Sequence, residues 1–382
     1  MKVANLKKIV LCSLFTVHCS LFSVNASPLH STTWGFRLDL PEGYEYIDGN
    51  NQDRFSFKGP NGAMFDIIVY NGVYQGIEQM ANDVNRRLGS SGEIALYDYE
   101  GKAAAIMDLH FRNFSGWALC VELAKNSGSA KQPLLCALAY SPSSGADMDL
   151  FHISALDSIA PSDVEARRPG PVMEFSFPRG EKTIEVPIKG TAISALIREN
   201  DAEAAQELVD REYAILRNYE KAPNWQQAWI RFYRMIYRDS WDRIANGLFR
   251  LEREWNAANQ DGRAFAEKSL AFVQGFIYER DLEGSDFVNL VTALTEGRGD
   301  CDSRSMLWAM ILEQADIPSA IMVSRVHSHA MGLADIPGTG ARFETGGKKW
   351  LVAETTDKVG IGLISADKSD IASWLGVIFN VP

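Results

Sequence analysis

The 382-residue chain has only six histidines and five cysteines. No second Cys or His pair stands at metal-ligand spacing, which argues against a structural zinc site, and no metal or organic cofactor is expected. A basic stripe is also missing: 38 Lys and Arg face 49 Asp and Glu, a formal charge of −11, so nucleic acid is not an expected partner. No internal repeat or low-complexity tract occurs. The one long apolar run, "IVLCSLFTVHCSLFSV", is broken by Ser13, Thr16, His18 and Ser20 and is short for a bilayer, which argues against a stable membrane span.

That run follows Lys2, Lys7 and Lys8 and precedes "VNAS", the basic, apolar and small-residue order of a secretory signal with cleavage after Ala26. Residues 1–26 are therefore expected to be removed and the protein exported, to a periplasm or outside the cell. Cys19 follows His18 rather than a small residue, which argues against lipidation. Processing removes three lysines and no acid, taking the formal charge from −11 to about −14. It leaves three cysteines, an odd number for an exported chain. "WALCVELAK" and "QPLLCALAY" read as two strands of a hairpin with Cys120 and Cys136 facing each other, as a disulfide or as two buried thiols. Either way Cys301 stands alone.

With 46% hydrophobic residues, this length can bury two cores. From residue 34, period-2 stretches around a Gly-Pro-Asn-Gly turn read as a β-hairpin. "GIEQMANDVNRRLG" places Ile77, Met80, Val84 and Leu88 at helical spacing before Gly89, and further strands and a closing helix follow. This opening resembles the PsbP-type α/β/α sandwich over residues 33–162, which implies an accessory domain for binding or positioning. Trp34, Trp117 and Tyr70 are read there as core or rim packing. Residues 163–175, rich in proline and charge, read as a linker. Residues 176–382 form the second domain: "MEFSFPRGEKTIEVPI" reads as a strand or hairpin, and "DAEAAQELVDREYAILRNYEK", "WQQAWIRFYRMIYRDSWDRIANGLFRLEREW" and "AFAEKSLAFVQGFIYERD" as a helical front. The fold class is α+β.

The chemistry concentrates in three segments. In "GRGDCDSRSMLWAM", Gly299 can supply the positive φ that brings a loop into a helix, so Cys301 is expected at a helix N-terminus, where the helix dipole and a cationic histidine favour thiolate. Its polar neighbours Asp300, Asp302, Ser303 and Arg304 argue against a thiol sunk in a core. "IPSAIMVSRVHSHAMGLAD" reads as one strand with His327 and His329 on a shared face, a pair that with Cys301 and Asp300 or Asp302 offers an alternative metal site. "KKWLVAETTD" reads as a strand carrying Glu354 on the side of Trp350 and Val352, with Asp357 as the fallback acid.

Over roughly residues 265–365 these segments resemble the transglutaminase-like superfamily of papain-fold cysteine enzymes, with its helix-opening cysteine, "HA" strand and acid-bearing strand. The resemblance implies Cys301 as nucleophile, His329 as base, because Ala330 follows it, and Glu354 as the orienting acid. Met331 stands where an aromatic is common, and Glu354 replaces the usual aspartate. The implied activity is acyl transfer by a protease or amidase acting on peptide or isopeptide bonds of a peptide, protein or peptidoglycan-peptide substrate. Two alternatives stay open: a non-catalytic binding or assembly protein of the cell envelope, and a protein-crosslinking transglutaminase.

Overall fold

The computed structural model describes residues 28–125, 131–178, 182–255, 261–280 and 285–379; the expected signal segment and Cys19 lie outside them. A short hairpin of β1 (Leu29–His30) and β2 (Arg37–Leu38) leads into β3 (Glu45–Gly49), β4 (Arg54–Lys58), β5 (Met64–Asn71), helix α1 (Ile77–Leu88), β6 (Ile94–Tyr99), β7 (Lys102–Phe111), β8 (Phe114–Glu122), β9 (Pro133–Pro142) and α2 (Asp149–Asp157). Strands β3 to β9 form one antiparallel sheet in the order β3-β4-β5-β9-β8-β7-β6. Because side chains alternate across a sheet, each strand feeds two cores. Phe65, Ile67, Val69, Leu119 and Val121 pack with Ala155 and Leu156 of α2. Met107, Leu109, Ala118 and Cys120 pack on the other side with Ile77, Met80, Ala81 and Val84 of α1. Helix α1 stops at Gly89, whose φ of 66° closes it in the left-handed conformation. The result is the expected three-layer arrangement, in which Trp34, Trp117 and Tyr70 are partly buried packing residues. Cys120 and Cys136 are direct cross-strand partners under α1, and both are free, buried thiols.

The second half begins with α3 (Pro171–Ser176), followed by the hairpin of β10 (Thr183–Pro187) and β11 (Ser194–Arg198). "MEFS" is thus helical, with Pro171 in its first turn, and the expected hairpin starts only at Thr183. Helices α4 (Asp201–Leu216), α5 (Trp225–Glu254) and α6 (Gly262–Gln274) form the helical front; β12 (Ile277–Tyr278), α7 (Leu290–Glu296), β13 (Arg298–Gly299) and α8 (Cys301–Gln314) follow. β14 (Ser319–Ser324), β15 (His329–Ala334), β16 (Arg342–Thr345), β17 (Lys348–Ala353) and β18 (Leu375–Val377) make a sheet of order β16-β17-β15-β14-β18. Helix α8 lies between that sheet and the helical front, and its Trp308 is fully buried, with its Nε1–H donating to Ala266 O and Ser269 Oγ. The stretch read as one strand is two: residues 325–328 turn the chain between β14 and β15, so His327 and His329 do not share a strand face.

Residues 163–175 pack between the halves. The Val172 and Met173 N–H groups donate to Asp157 Oδ1, and Arg238 of α5 donates to the carbonyls of Asp157, Ile159 and Arg168. Beside them Arg231 binds Glu212, the Ser154 hydroxyl and Asp39 O, while Arg211 bridges Asp157 and Glu212. These charges are buried but mutually satisfied; removing one partner from such a network costs roughly 3–5 kcal/mol.

Candidate active site

The chain reaches Cys301 through two tight steps. Gly297 ends α7 at φ 63°, and Gly299 adopts φ 154°, where an added Cβ would also meet Ser303 Cβ at 2.9 Å. Asp300 then caps α8, its Oδ1 accepting from Ser303 N at 2.8 Å and Ser303 Oγ at 2.6 Å. Arg304 pins the loop by donating to Gly299 O and Phe276 O, with its guanidinium 5.3 Å from the Tyr278 ring centre. Cys301 is therefore the first residue of α8, as its sequence implies.

Its surroundings differ from the expected ones. Cys301 is 4% exposed, and Asp300, Ser303 and Arg304 are buried with it, so the polar flank lines an interior. The thiol donates to Asp302 Oδ2 at 3.5 Å, and Tyr233 of α5 donates its hydroxyl to Asp302 Oδ1. Burial first, then the charges of Asp302 and Asp300, push the Cys301 thiol well above its ordinary range, while the Ala330 backbone N–H pulls the other way. A helix N-terminus carries about half a charge, too little to offset dehydration and two carboxylates. Asp300 is itself pushed up, by burial and then by Asp302, and its Oδ2 is buried without a hydrogen-bond partner.

His329 opens β15, and Glu354 directly follows the neighbouring β17; their Nε2 and Oε2 atoms are 2.8 Å apart. Glu354 also accepts from Thr356 N and Oγ1 at 2.9 and 2.6 Å and from Lys368 Nζ at 3.3 Å. Burial alone would raise its pKa; the His329 hydrogen bond and charge, with Thr356, outweigh that and bring it down to about 2. Gln274 of α6 donates to Glu354 O, fixing the backbone beneath the carboxylate. The Nε2 bond leaves Nδ1 as the ring nitrogen for a reacting group. Asp357 is exposed and Glu354 holds the position facing the imidazole.

Cys301 and His329 open onto one cavity of about 320 Å³, whose wall includes Trp229, Tyr278, Arg280, Asp302 and Arg325. His327 instead bonds Ser373 Oγ at 2.9 Å and stacks on Trp374 at 5.4 Å. Among the described residues, the group with donor atoms close enough to hold a cation is Asp300, Cys301 and Asp302, within 4.8 Å of one another, and neither histidine belongs to it. The two-histidine metal arrangement considered from the sequence is therefore not assembled. Sequence reasoning does not mark Tyr233, Trp229 and Arg325; the available signal is the spacing of Trp225, Trp229 and Tyr233 on one face of α5.

No protein-family model matches the chain, and no curated protein matches it either. Among solved structures, calcium-bound LapG of Legionella pneumophila is similar at 15% identity and a TM-score of 0.23, over 42% of this chain and 79% of LapG.

Proposed function

We propose that this protein is an exported, cysteine-dependent acyl-transfer enzyme of the transglutaminase-like type, a peptidase or amidase acting on peptide or isopeptide bonds through Cys301, His329 and Glu354. The observation that carries the reading is the 2.8 Å His329–Glu354 pair, whose imidazole shares a cavity with a thiol at a helix N-terminus. The export part rests on the reading of residues 1–26; no helix among the described residues is long and apolar enough to cross a membrane.

In this mechanism the resting thiol is neutral. His329 Nδ1 takes the Cys301 proton as sulfur attacks the amide carbon, and Glu354 stabilises the imidazolium formed. The Cys301 N–H at the helix start helps hold the developing oxyanion. His329 then protonates the leaving amine, and water hydrolyses the thioester to acid and free thiol. A thiol-directed alkylating probe is expected to label Cys301 in the native protein and to label it more slowly in His329→Ala, with Cys301→Ala as the blank. Equal labelling rates with and without His329 would remove the imidazole from the chemistry.

The raised Cys301 pKa favours a second reading, a non-catalytic binding protein that keeps the fold. Cys301→Ala would then leave the cellular phenotype intact. Cross-linking transfer is separated from hydrolysis by incubation with a labelled primary amine, which only transfer incorporates into protein.

A further inference from the structure

Arg325 opens the turn between β14 and β15, four residues before His329. Its guanidinium sits 4.9 Å from the Trp225 ring centre and donates one hydrogen bond, to Glu220 O at 3.1 Å. Trp225 begins an aromatic row on one face of α5: Trp229 lies 5.9 Å away and Tyr233 a further 6.3 Å on, and Tyr233 ends the row by donating to Asp302, beside Cys301. One helix face thus connects Arg325 to the nucleophile's neighbour, and Arg325, Cys301 and His329 border the same cavity.

The charges along that cavity are not evenly settled. Arg280 is paired with Asp286, and Asp302 is engaged by Tyr233 and the Cys301 thiol. Arg325 is exposed and has no carboxylate at ion-pair distance among the described residues, in a chain of formal charge −11. A guanidinium has five N–H donors in a planar fork, and the stack on Trp225 and the single bond to Glu220 O hold that plane while leaving donors for a carboxylate.

We propose that Arg325 is the specificity residue of this cleft, binding a carboxylate of the substrate, from either an acidic side chain or a free peptide C-terminus, while the chain lies over Trp229, the member of the row that borders the cavity. This rests on the reading of the cleft as the substrate site of a cysteine enzyme, but its test does not require turnover.

The test compares alkylation of Cys301 by iodoacetate, which carries a carboxylate, with alkylation by neutral iodoacetamide, followed by peptide mapping. The rate ratio of the two reagents is expected to fall about tenfold in Arg325→Ala, the lower end of electrostatic focusing in a cleft, to fall further in Arg325→Glu, and to be largely kept in Arg325→Lys. The wild-type preference should weaken as salt rises. N-acetyl-glutamine, with only a C-terminal carboxylate, and N-acetyl-glutamic acid α-amide, with only a side-chain one, separate the two sources: the true one protects Cys301, and neutral N-acetyl-glutamine amide does not. An unchanged ratio in Arg325→Ala, equal protection by all three compounds, or no labelling of Cys301 by either reagent overturns the proposal. Charge selectivity without amide hydrolysis would instead overturn the enzymatic reading and leave Arg325 as a carboxylate site.

Discussion

Asp302 divides its two oxygens between the Tyr233 hydroxyl and the Cys301 thiol, and its charge adds to burial in disfavouring thiolate. A negative group beside a thiol penalises thiolate, so removing that charge lowers the thiol pKa. Asp302→Asn is therefore expected to move the pH midpoint of Cys301 alkylation down by about one unit or more, measured as iodoacetamide rate against pH; an unmoved midpoint would mean that burial and Asp300 hold the proton without Asp302. The "DCD" run was plain in the sequence, and so were the types and order of Cys301, His329 and Glu354. Burial of Asp300 was not, because acidic residues are exposed by default and only its role as the cap of α8, accepting from Ser303, brings it inside.

At the scale of elements, the site depends on how closely α8 approaches the sheet. Gly332 on β15 makes room for Trp308: a Cβ there would meet Trp308 Cε3 at 2.3 Å. Gly332→Ala is expected to destabilise the fold by about 1–3 kcal/mol, the usual range for overpacking, read as a lower midpoint in urea with an unchanged slope; a stability within error of wild type would show that the indole can shift freely. Helix α8 was legible, since Gly299, Asp300 and the apolar spacing after Cys301 announce its start. The β14–β15 hairpin was not. Its turn, Arg325 to Ser328, contains no glycine, proline, asparagine or aspartate, and Ser328 takes the left-handed φ of 45° without a residue type that advertises it.

Across the whole molecule, the two halves meet through buried charge rather than through an open tether. Glu42 belongs to that junction: it is buried, its Oε1 has no hydrogen-bond partner, and its backbone carbonyl accepts from Tyr219. Burial, then the Asp39 charge, raises its pKa to about 7 against the opposing pull of Arg231 and Arg234. The unfolded chain ionises this group near 4.5, so folding loses stability as pH rises from about 4.5 to about 7 and loses no more above that. Glu42→Gln removes the ionisation, so its melting temperature is expected to exceed that of the wild type at pH 8 and to match it near pH 4. A gain of equal size at both pH values would assign the effect to packing.

Local rules decided what the sequence could decide alone: the α+β class, hairpins with a helix closed at Gly89 in the first half, a helical stretch in the second and the three chemical types at the site follow from side-chain period, helix caps and glycine conformations that neighbouring residues fix. Tertiary structure decided which histidine meets an acid, that burial and the neighbouring Asp302 and Asp300 raise the Cys301 pKa, and that Arg325 shares its cavity. Those properties depend on dehydration and on the field of groups distant along the chain, quantities that exist only once α5, α8 and the β14–β18 sheet have packed together.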